Sequence, residues 1–329
     1  MTRKPPRKQH YIPRFYLAGF AAPGPTSSLW VYEKGRDPRK STPKLEACQR
    51  DFYTIEENGE KDFQFEDWLG NLEGGVAPLM GDLVNNKREP NESEKVCLSV
   101  FMGTMFTRTP FGMQLSDELF GPATIKMLLR AAGDPCEFYK LCESIEAGFP
   151  GAVVEQIRQD VLAGKSEQLE ELRDFRLASM LDVGIRVAEV LCDMGWQFVH
   201  ARGSQTFVTS DNPLVSEVGE EGRREVHFRA GVNLPNATVW FPLTSTVCLL
   251  MRRGLTPGVG TAPPKTIRGI NKRIMTCADK IIYAGESSKG LRRAFERHGC
   301  QLPLEKLDMR YEGERLERKE KVLARAASE

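Results

Sequence analysis

The stretch from Trp196 to Val215, WQFVHARGSQTFVTSDNPLV, constrains the chain more than any other. Two short apolar runs, Trp196–His200 and Thr206–Thr209, flank a polar turn, and their Val, Phe and Thr content is that of β-strands. The second run ends in Ser210, Asp211, Asn212 and Pro213. Proline has no N–H to give to a ladder, so the strand stops there and presents a carboxylate and an amide at the rim of a sheet. Asp211 and Asn212 therefore either close an Asx turn before proline or line a site.

Around this stretch the pattern sorts into strands toward both ends and helices between them. Ser28–Glu33 (SLWVYE) alternates as a strand, and Asp51–Glu56 (DFYTIE) reads as its partner across loop-like Pro, Lys and Gly. From Phe63 the period turns helical, with Phe65, Trp68, Leu69, Leu72, Val76, Leu79 and Met80 at three- and four-residue steps. Glu66 and Glu73 lie seven apart on nearly one face of that helix. Glu73 borders the apolar stripe, whereas Glu66 and Asp67 read as solvated. The Asn91–Ser93 segment caps an apolar helix, Glu94–Thr107, that ends at Arg108. A guanidinium there needs a carboxylate, a phosphate or solvent, so Arg108 is either an ion-pair partner or an anion clamp.

Further helices are expected over Leu115–Ala132, Cys136–Ala147, Ala152–Leu162 and Glu167–Met194. Beyond the central strands come a charged loop or hairpin at Gly219–Gly231, strands Thr238–Pro242 and Thr246–Arg252, and a Gly/Pro-rich linker, Gly254–Pro264. An amphipathic helix over Lys265–Ala278 carries Asn271, and a strand, Lys280–Ala284, and a helix, Ser287–His298, follow. The expected fold is α+β: a mixed or antiparallel sheet from N- and C-terminal strands with a large helical insertion at about 63–194. One domain is expected over residues 9–300, between a basic arm at 1–8 and a charged tail at 301–329.

Composition narrows the partners. Lys plus Arg number 46 against 45 Asp plus Glu, so no global field draws the chain onto nucleic acid, and any basic footprint is local to Arg3, Lys4, Arg7 and Lys8. The eight cysteines form no C-x-x-C pair, and His10, His200, His227 and His298 have no zinc-ligand spacing, which points to free thiols in a reducing cytosol. No run of roughly 18 apolar residues predicts a membrane span. The basic N-terminus lacks an apolar h-region, which argues against export. A P-loop, a strand-linked G-x-G-x-x-G and a G-x-S-x-G elbow are all missing, which argues against ATPase, Rossmann and α/β-hydrolase chemistry.

Gln9–Phe20 (QHYIPRFYLAGF) carries four aromatics that water does not accommodate cheaply, at roughly 25 cal/mol per Å² of apolar area, so the segment should dock and carry His10 and Tyr11 inward. With TSDNP, FPLT about thirty residues on, and INKRIMTCADKIIYAG near the end, it resembles the bacterial family catalogued as domain of unknown function 4238. The likeness covers roughly residues 9–285, in the family's order. It implies that His10, Glu73, Arg108, Asp211, Asn212 and Asn271 occupy polar motif positions, and it implies no activity.

A histidine, carboxylates, an arginine and two amides drawn from distant segments should converge on a polar pocket, because each one buried unpaired costs about 1–3 kcal/mol. In such a pocket Glu73 and Asp211 are the candidate ligands of Mg²⁺ or Mn²⁺, and His10 is a general base toward water. Arg108 would stabilise phosphate charge, with Asn212 beside the reacting groups and Tyr11 and Asn271 binding substrate. The leading expectation is a metal-dependent phosphodiester or nucleotide hydrolase, nuclease-like in chemistry. One alternative is a metal-free nucleotide or glycosidic-bond enzyme that uses the same carboxylates as acid and base, with His10 and Asn212 orienting the substrate. Another is a non-catalytic nucleic-acid-binding module using the basic arm.

Overall fold

A computed structural model of the chain describes residues 8–22, 24, 27–57, 60–114, 128–145, 151–164, 173–219, 226–228 and 231–300. The arm through residue 7 and the tail from 301 lie outside them. In chain order the described elements begin with β1 (Lys8–His10), α1 (Arg14–Ala18), β2 (Leu29–Glu33), β3 (Arg39–Ser41), β4 (Cys48–Arg50), β5 (Ile55–Glu57) and β6 (Glu60–Asp62). The helical part follows as α2 (Gln64–Asn86), α3 (Glu92–Thr107), α4 (Pro135–Ile145), α5 (Gly151–Leu162) and α6 (Arg173–Cys192). The last part is β7 (Gly195–Ala201), β8 (Thr209–Ser210), β9 (Val215–Gly219), β10 (Val226–Phe228), β11 (Ala237–Pro242), β12 (Val247–Arg252), β13 (Gly258–Ala262), α7 (Pro264–Cys277), β14 (Ile281–Ala284) and α8 (Lys289–His298).

The α+β expectation holds, as does a sheet joining the two ends of the sequence. β14 pairs antiparallel with β2, Ile281 opposite Glu33 and Ala284 opposite Trp30, inside a four-stranded sheet ordered β3-β2-β14-β8. A second sheet, ordered β10-β9-β11-β12-β7-β13, draws all its strands from beyond residue 194. Strand alternation sends its side chains to two cores. Val247, Leu249 and Met251 face the core shared with α2, α3 and α6, while Cys248 faces the one under α7.

Within the helical part, α3 owes its start to Asn91. Its side chain accepts from the Glu94 N–H while Glu94 returns a bond to the Asn91 N–H, a full capping box. The helix then buries Leu98, Phe101, Met102 and Met105. It lies against α6 so closely that a Cβ on Gly103 would fall 2.0 Å from the Gly184 carbonyl oxygen. That approach requires glycine and sets the height at which α3 delivers Arg108.

Three expectations change. Asp51–Glu56 is not the partner of β2: Asp51 takes a left-handed φ of 52°, Thr54 N–H bonds back to Asp51, and the chain turns. Phe52 and Tyr53 are then free to stack on Tyr11 and Phe65, and β3, read from sequence as loop, pairs with β2 instead. Of Thr206–Thr209 only Thr209 is strand, in the two-residue β8 with Ser210, because Asn271 takes the Val208 N–H and the Thr206 carbonyl. The Gly/Pro-rich segment 254–264 contains β13, which runs parallel to β7 as a sheet edge, where Gly258 and Gly260 need no packing on one side. The charged segment after β9 forms a hairpin with β10, with 220–225 outside the described residues. Most of the expected helix 115–132 also lies outside them.

Candidate functional site

The segments singled out by motif meet in the interior. Ile12, Tyr16, Leu17 and Phe20 are wholly buried, so Gln9–Phe20 docks as its aromatics require. The Tyr16 hydroxyl bonds the Pro242 carbonyl at 2.7 Å and the Thr209 hydroxyl at 2.9 Å, joining QHYIPRFYLAGF to FPLT and to TSDNP through one oxygen. Gln9 is also fully buried: its Oε1 accepts from the Tyr53 N–H and its Nε2 donates to the Thr54 hydroxyl at 3.1 Å.

Asp211, Asn212 and Asn271 bind backbone. The Asp211 carboxylate accepts from the Asp279 N–H at 2.8 Å on Oδ1, and from the Lys280 and Ile281 N–H groups at 2.7 and 2.9 Å on Oδ2. Burial and the nearby Asp279 charge push its pKa up to about 7, against these three bonds, which pull it down. Asn212 Nδ2 donates to the Cys277 carbonyl at the end of α7, and its Oδ1 has no hydrogen-bond partner among the described residues. Asn271 spans Thr206 and Val208 from the other side. TSDNP and INKRIMTCADKIIYAG thus clasp each other.

His10 and Tyr11 form the next layer. His10 Nε2 lies 3.2 Å from the Lys44 carbonyl oxygen. Burial lowers its pKa below the ordinary value, and the positive charges of Arg14, Arg108 and Lys8 lower it further. Burial raises the Tyr11 phenol, and so does the negative charge of Asp211. Tyr283 is wholly buried, its hydroxyl without a hydrogen-bond partner among the described residues, in the field of Tyr11, Asp211 and Glu46. Glu46 is itself held by a two-pronged bond from Arg39 and by the Ser41 hydroxyl.

Arg108, the C-cap of α3, is completely buried, and its Nη1 donates to Glu73 Oε1 at 2.8 Å. Its Nη2 reaches only the Met105 sulfur, and its Nε has no hydrogen-bond partner among the described residues. The Tyr53 hydroxyl donates to the Arg108 carbonyl. Two turns before Glu73 on α2, Glu66 has a pKa raised to about 7, first by burial and then by the Glu73 charge, with Arg108 opposing. Among the described residues no group of three or more His, Cys, Asp and Glu side chains is placed to hold a metal ion.

A family model described as protein of unknown function DUF4238 matches residues 8–288. The chain belongs to this family. Comparison with curated proteins and with solved structures gave no match. The clasp thus lies within the matched part of this DUF4238 chain, as do Glu66, Glu73 and Arg108.

The residue that sequence reasoning passed over is Glu66, read as solvated and found half-buried at the Glu73 and Arg108 pair. Its seven-residue spacing from Glu73 was the available signal. The cover that Phe65 and Tyr53 bring to that face depends on the turn at Asp51, which local pattern did not reveal. Tyr283, which lies within INKRIMTCADKIIYAG, and Glu46 share the field around Tyr11 in this DUF4238 chain, and nothing in the spacing marks either as a site residue.

Proposed function

We propose that the chain is a metal-independent hydrolase or transferase acting on a nucleotide or glycosidic bond, with Glu66 as general acid and Glu73 as the charged partner. The observation that carries this reading is the Glu66 carboxyl, poised at about 7 beside a second carboxylate that is bound to a buried arginine. Two carboxyls whose surroundings set them apart divide acid and base roles between them, and a general acid works best with a pKa near the operating pH.

The two glutamates sit two turns apart on α2, about 10 Å along the axis. In this reading Glu66 protonates the leaving group and Glu73 takes the proton of the attacking water. Arg108 holds Glu73, and His10 with Tyr11 orients the substrate. Asp211, Asn212 and Asn271 support the site through the clasp. The reading departs from metal dependence because Asp211 is committed to three backbone N–H groups and Glu73 to Arg108.

The test is hydrolysis of nucleosides, nucleotides and aryl glycosides, with and without chelator, by wild type and Glu66→Gln. Turnover indifferent to chelator, declining as pH rises through about 7 and reduced about 10²–10⁴-fold in Glu66→Gln, supports the acid role. A folded Glu66→Gln with undiminished activity defeats it.

A further inference from the structure

Arg108 has five N–H donors in a fixed planar fork, and all of them are out of water. Among the described residues only Nη1 meets an oxygen, that of Glu73. The opposite, side-on edge of the fork, formed by Nε and Nη2, is the edge that grips two oxygens of one anion in parallel. On that edge, among the described residues, Nε has no hydrogen-bond partner and Nη2 touches only the Met105 thioether at 3.1 Å. Sulfur is a weak acceptor, and an unbranched methionine moves aside readily. A buried charged donor left without an oxygen is costly, so this edge has more to gain from an oxyanion than any exposed arginine. Arg14 and Lys8 add positive charge on the His10 side of Arg108, while Glu66 and Glu73 lie on its α2 side. Glu73 is about a quarter exposed and Glu66 partly so, which puts the solvent side of this cluster along α2.

We infer that the Nε and Nη2 edge of Arg108 binds a phosphate group, which makes the substrate class a phosphorylated one, a nucleotide rather than a nucleoside. The assignment to substrate rests on the acid–base reading above; the anion site itself does not. Two phosphate oxygens take the two N–H groups, Met105 rotates off Nη2, and Glu73 keeps Nη1.

The test uses the full chain and inorganic phosphate, titrated at constant ionic strength against chloride, with thermal midpoints read for wild type, Arg108→Lys and Glu66→Gln. The midpoint of wild type and of Glu66→Gln rises saturably by a few degrees, and that of Arg108→Lys does not, because a lysine ammonium has no side-on fork. In wild type labelled with ¹⁵N-arginine, the buried Nε–H resonance shifts with the same saturation midpoint, which decides the matter if Arg108→Lys does not fold. A flat titration together with an unmoved Nε–H resonance overturns the site, as does a folded Arg108→Lys with the wild-type response. Failure of the acid–base reading shows separately, as a Glu66→Gln enzyme that stays active while phosphate still binds.

Discussion

Asp211 and Ile281 lie 70 residues apart, yet the Ile281 N–H donates to Asp211 Oδ2 at 2.9 Å and the Asp211 N–H donates to the Ile281 carbonyl at 3.1 Å. The two residues close a ring where β8 ends and β14 begins. The same carboxylate also holds Asp279 and Lys280, so it fixes the whole entry into β14.

Asp211→Ala leaves three backbone N–H groups without their acceptor. At about 1–3 kcal/mol for a buried donor left unpaired, offset by removal of a buried carboxyl, the expected loss is about 2–4 kcal/mol in urea unfolding. An unchanged midpoint denaturant concentration contradicts this assignment.

The Arg108 and Glu73 pair predicts strong non-additivity. Glu73→Gln leaves a buried guanidinium without its counter-charge and destabilises by about 2–4 kcal/mol, whereas Arg108→Met combined with Glu73→Gln recovers much of that loss. Additive losses in the double-mutant cycle rule out coupling between the two side chains.

Glu66 sets a pH dependence with a definite sign. Its folded pKa, about 7, is raised above the ordinary 4.5, so the folded state holds its proton more tightly than the unfolded state. The stability this gives is full below about pH 4.5 and is lost as pH rises through about 7. Asp211, raised from 3.8 to about 7, slopes the same way. Glu66→Gln therefore makes the fall of stability with pH shallower over this range without abolishing it. Parallel curves for wild type and variant speak against the buried setting of Glu66.

The close crossing of α3 and α6 predicts an intolerant glycine. Gly103→Ala drives a methyl group into the Gly184 carbonyl, and because that neighbour is backbone the helices must part. The expected cost is about 1–3 kcal/mol, together with reduced activity, since α3 carries Arg108. Gly74→Ala, on α2 with open space around it, serves as the control and leaves stability unchanged or slightly raised.

Much of this fold was legible wherever one residue type dictates one structure. Asn91 and Glu94 announce a capping box, the aromatic run Tyr11 to Phe20 announces burial, and the apolar period from Phe65 to Met80 announces α2. What escaped depends on partners distant in sequence. β3 is a strand only because β2 lies beside it, and β13 only because β7 offers a parallel edge. The site divides the same way. The positions Glu73, Arg108, Asp211, Asn212 and Asn271 were all singled out, but spacing gave no means of telling which would bind backbone and which would bind each other. Glu66 illustrates the limit, since its burial comes from residues that only a left-handed Asp51 brings over it.

The pairing of β2 with β14 has a consequence for how the chain is made. When Leu29–Glu33 leaves the ribosome, its partner Ile281–Ala284 is still about 250 residues behind it. At roughly 5–20 residues per second, Trp30, Val31 and Tyr32 wait on the order of 10–50 s, paired with β3 alone, before their sheet can be completed. For that interval β2 has β3 on one side and an open edge on the other, and this unpaired edge is where a holding chaperone would matter most to the yield of this protein.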